Sequence, residues 1–480
     1  MKKFLCMLIC AVFVVSLFGV VGCKPKDTRT ELRIISWNMG TEAQNNLNRK
    51  MIKEFEAKFP DYRVTIEDPG AVYTDTVQAL AGKQDLPDVI MLDNLPTALS
   101  NRYIMEISDM VAADADWQKV PEPLREACQY NGRTFAVPAE MHMWGIYINE
   151  TVFENANLDP LDVNPTVEDF KAAVTALNKP GEGISSYNDE LEMINWFPAA
   201  LDENVGYYTW DGEKFNLDGD AFANTLAYMK EIRTGKLTFA AWDNATREAT
   251  GYLSVDDLWY NNGLAMYYNS SASRSALKYG SEGNEVKLQG KMKFIGLPGG
   301  RNVMVPDLWG ISAGTEHPEM AYELAKWMSF SSEGTLKRLE LDAASMANGG
   351  KQEFVSLPIT SDKAVLDAYF DNEETAGLRE VYESLSKGVV EPVKTVPGYT
   401  SCRWTLNTGL TYNYTDNSGE TPVQSTRTNA TLEQVYDDIW KSTAALEWAD
   451  YKAEINTKVN KALENASRAL DRDYPAKTNA

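Results

Sequence analysis

The sequence predicts an α/β protein built around a parallel sheet, and three observations carry that expectation. Short apolar runs at 32–37, 62–66 and 88–92 have strand character and alternate with stretches of helical periodicity. Strand–helix–strand–helix–strand order implies right-handed crossovers and therefore parallel pairing. At 480 residues and 44% hydrophobic composition, the chain has core enough for two or three domains.

Residues 32–37 (Leu-Arg-Ile-Ile-Ser-Trp) open the sheet. Thr41 and Gln44 form a capping-box pattern for a helix whose Leu47, Met51, Phe55 and Phe59 recur every fourth residue, and Pro60 ends it. Tyr62, Val64 and Ile66 alternate as a second strand; Val77 and Leu80 mark a short helix; 88–92 reads as a third, fully buried strand. Gly132 to Pro138 predicts a strand closed by proline, and 145–148 another. Thr166, with Asp169, Phe170, Val174 and Leu177, predicts a capped helix, 264–268 and 292–297 short strands, and 318–328 a helix with proline in its first turn. The polar, poorly periodic stretch 397–429 reads as a surface excursion. From 432 to 470 the pattern is helical, with Val435, Ile439, Leu446, Ile455, Val459 and Leu463 apolar and Trp440 and Trp448 at core spacing.

Charge and the N-terminus narrow the function. A net charge of −23 opposes nucleic-acid binding, because a phosphate backbone would be repelled. Lys2 and Lys3 precede an almost purely apolar run that ends at Val20-Val21-Gly22-Cys23, and no acid appears before Asp27. This is a secretory signal, residues 1–22, and its end resembles the lipobox of bacterial lipoproteins. The resemblance implies that Cys23 is lipidated and leads a tether, 23–31, on the outer side of a cell membrane; two or more acyl chains anchor firmly where one does not. The alternative is an uncleaved membrane helix, for which the run is short. Cys128 and Cys402 are the other cysteines outside the signal, and either a disulfide or two buried thiols fits them. With no CxxC and only two histidines, no metal site is expected, and no cofactor either.

Several blocks then match one family in order: Phe55-Glu56-Ala57-Lys58-Phe59-Pro60, Pro87-Asp88-Val89-Ile90, Tyr130 through Pro138, Gly145-Ile146-Tyr147-Ile148-Asn149, Asn262-Gly263-Leu264-Ala265-Met266, Gly296-Leu297-Pro298-Gly299-Gly300 and Ala321 through Met328. The chain resembles the extracellular solute-binding proteins of bacterial ABC importers, in the large family whose members mostly carry sugars and oligosaccharides. The resemblance implies a two-lobed, type II periplasmic-binding-protein fold with ligand in the cleft. It places lobe 1 at 32–140 plus 305–331 and lobe 2 at 141–304 plus 332–480, with crossings near 139–143, 302–306 and 330. It also implies a monomer whose closed form docks on membrane permease subunits.

Open parallel sheets bind ligands beyond the carboxyl ends of their strands. A sugar needs carboxylates and amides around its ring and flat aromatic surfaces on its faces. Both criteria select Trp37, Asn38 and Glu42 after the first strand and Asp93 and Asn94 after the third. They also select Glu140, His142 and Trp144 at the first crossing, Tyr268 and Asn269 after the strand at 264–268, and Asp307 and Trp309 at the return. Trp196 is a further aromatic candidate, although Ile194-Asn195-Trp196-Phe197 also reads as packing. Trp404 enters because family members often place a stacking aromatic in that portion. Asp93 and Asp307 fit either helix capping or ligand contact. The expectation is a binding protein and not an enzyme: there is no G-x-S-x-G, H-E-x-x-H or P-loop motif. A secreted glycosidase, which needs an acid pair, and a glycan-capturing surface lipoprotein are the alternatives.

Overall fold

The structure, a computed structural model, describes residues 27–252, 254–280, 286–385, 388–399, 410–416, 421–441 and 448–476. The signal segment, Cys23, Cys402, Trp404 and Leu446 lie outside the described residues, as do the side chains of Ile439, Trp440 and Trp448. Cys128 is fully buried.

The opening of the chain follows its periodicity. Strands β1 (Thr30–Ile35), β2 (Tyr62–Ile66) and β3 (Val89–Leu92) pair in parallel, β1 between the other two. The helix Leu47–Lys58 lies between β1 and β2 and buries Leu47, Met51, Ile52 and Phe55. The Thr41–Gln44 box does form, with Gln44 Oε1 accepting from the Thr41 backbone N–H at 2.7 Å. It closes a turn rather than the helix, because Asn46 is the better-placed cap and accepts from the Arg49 N–H at 3.1 Å. The predicted capping box at Thr166 and Asp169 does start the helix Val167–Ala176.

β4 (Gln129–Tyr130) and β5 (Arg133–Thr134) form a tight hairpin over Asn131 and Gly132, both at positive φ as such a turn demands. The chain then enters one 14-residue strand, β6 (Ala136–Asn149), where two strands are expected. Pro138 does not close it. The proline sits at a bulge: Leu308 pairs with Pro138 and Asp307 with Glu140, so Ala139 is passed over and the missing N–H costs no ladder bond.

Around β6 the sheet turns antiparallel. β8 (Leu264–Ser270) and then β7 (Ser185–Tyr187) extend it on one side of β6, and on the other β10 (Val303–Ile311) runs back to β3 while β9 (Met292–Ile295) pairs with the far end of β6. β9 and β10 meet the same edge of β6, so the loop through Gly296–Asn302 is an excursion within one line of pairing. β9 packs closely at Gly145, where a Cβ would lie 2.3 Å from Phe294 Cζ. β11 (Val389–Val390) joins β10 in parallel. Apolar residues gather in two clusters. One is centred on β1–β3 and the helices of that end; the other holds Ile146, Phe170, Trp196, Tyr268 and Ile295.

Three strand segments run between these clusters: β6, β10 and the stretch through β11 to Lys394, after which Val396 and Tyr399 join the second cluster. The sequence places the third crossing near 330. In the structure residues beyond that point still supply Phe354, Leu357, Tyr369, Leu378 and Val381 to the first cluster. The stretch read as a featureless excursion contains an antiparallel hairpin, β12 (Leu410–Asp416) and β13 (Val423–Ala430). Its alternation is of Thr, Tyr and Gln rather than of apolar residues. The final helix, Trp448–Asp473, buries Ile455, Val459 and Leu463 in the second cluster, and Leu470 in the first. Beyond it Tyr474 donates to the Leu99 carbonyl at 3.0 Å.

Asp362 ties three segments of the first half. It caps the helix Lys363–Phe370 through Oδ1, and Oδ2 accepts from Lys119 Nζ and Ser332 Oγ, both at 2.8 Å. The Lys119 ammonium, helped by Ser332, lowers its pKa to about 2. A depressed carboxylate stabilises above its unfolded value, about 3.9, and loses that contribution as pH falls through the folded value. Asp362→Asn keeps the cap and is expected to cost under about 1 kcal/mol at pH 7, since the pair is screened. In urea titrations the gap between variant and parent should close between pH 4 and 2.

Candidate functional site

Strand alternation puts Glu140, His142 and Trp144 on one face of β6 and the buried Met141 and Met143 on the other. β10 pairs Asp307 with Glu140, Val305 with His142 and Val303 with Trp144, so Asp307 shares that face. Ligand atoms of Glu140, His142 and Asp307 lie within 4.8 Å of one another. His142 Nε2 is 3.5 Å from Glu140 Oε2, and its buried Nδ1 has no hydrogen-bond partner among the described residues.

Neighbouring loops fix both carboxylates. β1 ends in Ser36-Trp37-Asn38. Ser36 Oγ donates to Asn38 Oδ1 at 2.5 Å, which turns the Asn38 amide N–H toward Glu140 Oε1 at 2.6 Å. From the third crossing, Lys394 Nζ donates to Asp307 Oδ1 at 2.8 Å and lies 5.6 Å from the centre of the Trp37 ring. Trp37 stands edge-on to Tyr73 at 5.0 Å and is 38% exposed, the side chain of an aromatic that offers surface. On the other side Trp144 lies flat on Tyr268 at 5.2 Å, with Trp196 stacked behind at 6.0 Å. The result is a polar centre of two oriented carboxylates and an imidazole between two aromatic rings. Such a centre can accept and donate hydrogen bonds to a polyol while the rings cover its C–H faces.

Residues 41–333, more than half of the chain, match the family model for the bacterial extracellular solute-binding protein. The chain belongs to that family. This solute-binding protein is therefore extracytoplasmic by family, and no helix among its described residues is long and apolar enough to cross a membrane. Its fold is shared by solved structures of the two-lobed type II periplasmic class. An ABC substrate-binding protein of Listeria monocytogenes in complex with cycloalternan is 16% identical, with a TM-score of 0.58 over 94% of this chain and 100% of that one. A cyclic α-maltosyl-1,6-maltose binding protein of Arthrobacter globiformis is 15% identical, with a TM-score of 0.63 over 91% and 100%. The sugar-binding protein MalE of Xanthomonas citri is 13% identical, with a TM-score of 0.64 over 92% and 100%. At such identity these likenesses show the fold. Among curated proteins, none matches by sequence.

Not every expected site residue of this solute-binding protein joins the face. Trp196 is 1% exposed and Trp309 3%, so both are core. Tyr268 is buried too, and it backs Trp144 with its hydroxyl on that of Tyr207 at 3.2 Å. Asn94 caps the helix Leu95–Ser100, and Asn269 spends its carbonyl on Ser270 N–H and Ser273 Oγ. Glu42 stays exposed. Asp93, at the carboxyl end of β3, has no hydrogen bond or ion pair among the described residues. Desolvation raises its pKa, which Lys394 opposes and Asp307 reinforces. Lys394 and Tyr73 are the contributors that the sequence did not reveal. Lys394 follows Pro392-Val393 in a stretch without periodicity, and only the pairing of β11 with β10 just before it brings it to Asp307. Glu140, His142 and Asp307 are metal-competent by type, but the Lys394 ammonium already occupies one oxygen of Asp307. Two concavities lie elsewhere, about 380 Å³ beside Lys278 and about 730 Å³ beside Lys171, and neither is lined by these residues.

Proposed function

We propose that this chain captures a sugar or oligosaccharide on the face between Trp37 and Trp144 and passes it unaltered to an ABC permease, tethered to the membrane by lipid on Cys23. The observation that carries this reading is the pair Glu140 and Asp307, each held by a neighbouring donor, between two aromatic rings. The solved relatives, described as sugar-binding or holding a cyclic oligosaccharide, support it. Contacts come from both ends of the sheet: Trp37, Asn38 and Asp93 from the β1–β3 half, and Trp144 from the start of the other. A ligand touching both halves favours the closed form over the open one, and only that difference in affinity shifts the population. The crossings β6, β10 and 388–394 are the segments about which the halves would turn.

Binding fits this face better than hydrolysis does. A glycosidase sets its two carboxyl groups on opposite sides of the scissile bond. Here Glu140 and Asp307 rise from adjacent strands on the same face, and each is already held by a neighbouring donor, Asn38 and Lys394. Calorimetry against mono- and oligosaccharides, followed by chromatography of the recovered ligand, tests the reading. Saturable 1:1 binding with intact ligand is expected; shortened products, or no binding to any saccharide, would refute it.

A further inference from the structure

We infer that Lys394 is a specificity-determining residue that touches the ligand: with Asp307 it selects one neutral hydroxyl of the sugar, which donates to the carboxylate and accepts from the ammonium. This deepens the sugar-binding reading and rests on it. The third crossing builds the pair. Val389 and Val390 pair with Val303 and Met304, and the Glu391 N–H donates to the Met304 carbonyl at 2.9 Å. The 3₁₀ turn Pro392–Lys394 then brings Lys394 Nζ to 2.8 Å from Asp307 Oδ1. β10 carries both the pairing and Asp307, so the spacing of the two groups is set inside one ladder, however far the halves have closed.

Each member keeps unused capacity. An ammonium has three N–H donors, and Asp307 takes one; the described residues offer Nζ no second acceptor. Nor does Asp307 Oδ2 accept a hydrogen bond among the described residues. Both side chains are only 14% exposed. A ligand that covers them strips away the little water they hold, and a polar group buried without a partner is costly. Nζ also lies 5.6 Å from the centre of the exposed Trp37 ring, so a sugar seated on that ring comes beside it. A hydroxyl answers both groups from a single atom. A protonated amine cannot accept from Lys394, and an ionised carboxylate cannot donate to Asp307.

The test compares hydroxyl, fluoro and deoxy forms of one sugar. Fluorine keeps the size and a weak acceptor but cannot donate; hydrogen does neither. Glucose, galactose and mannose, free and as α-linked disaccharides, are first titrated by calorimetry against the full chain, and the series is made on the tightest binder. At one ring position the hydroxyl form is expected to bind about tenfold or more tighter than the deoxy form, the scale of one charge-assisted hydrogen bond, with the fluoro form between. In Lys394→Met, whose folding is checked by its melting curve, fluoro and deoxy forms should become equal and the hydroxyl advantage should fall below about threefold. In Asp307→Asn the fluoro form should keep its lead, because Lys394 is still there to donate. If Lys394→Met weakens every form by the same factor, Lys394 only positions Asp307 and Trp37, and the inference is overturned. Differences unchanged from the parent would place Lys394 off the ligand and overturn it too. A parent protein in which no fluoro sugar leads its deoxy partner overturns it without any variant. Sugar binding is itself observed in these cases, so that reading stands; if no saccharide of the panel binds, that reading falls and takes the inference with it.

Discussion

Arg274→Met is expected to lower stability by about 3–5 kcal/mol, the usual consequence of leaving one member of a buried ion pair alone. Arg274 is 2% exposed, and its Nε donates to Glu373 at 2.8 Å, a side chain almost as deeply buried. Its other nitrogens donate to the carbonyls of Ser271 at 2.9 Å, Val355 at 2.6 Å and Phe354 at 3.3 Å, and to the Tyr369 hydroxyl at 2.7 Å. One guanidinium therefore serves the turn after β8 and the segment 354–373 together. Methionine would fill much of the volume but leave the Glu373 carboxylate and three carbonyls without their donor. Urea unfolding should show a lower midpoint at an unchanged slope. Adding Glu373→Gln to the variant should recover part of the loss, since the stranded charge is then gone. A change below 1 kcal/mol in the single variant would show that water reaches the pair.

Trp144→Ala is expected to weaken saccharide binding by about thirtyfold or more, roughly 2 kcal/mol, as removal of a central aromatic anchor does. The ring presents one face because Tyr268 and Trp196 hold the other, and both remain in the variant. Trp144 is only partly buried, so the melting temperature of the ligand-free protein should fall much less than affinity does. Calorimetry and a thermal melt on the same samples separate the two effects. Unchanged affinity with a large fall in melting temperature would make Trp144 a packing residue and remove one platform from the proposed site.

The parallel β1–β3 half was legible because its signals are local: helix periodicity, a terminating proline and short apolar runs. The long β6 strand was not. Pro138 is a stop signal in isolation, and it is harmless only because a bulge opposite Leu308 falls at that residue, a fact of pairing between positions 170 residues apart. Strand ends and crossings singled out Trp37, Asn38, Glu140 and Asp307, and the structure brings these side chains near one another through Asn38–Glu140, Lys394–Asp307 and Lys394–Trp37 contacts. The same rule could not separate Trp144, which keeps a free face, from Trp196 and Trp309, which are enclosed. Lys394 illustrates the opposite failure. Nothing nearby in the chain marks it, and its importance comes wholly from where the third crossing meets β10.

The last helix sets a mechanical condition on all of this. Leu463 is docked in one cluster and Leu470 in the other, so only about 10 Å of continuous helix lies between the two attachments. A rod that short has no slack. Wide swings of one half would have to bend it or peel Tyr474 from Leu99, whereas small rotations leave both moorings intact.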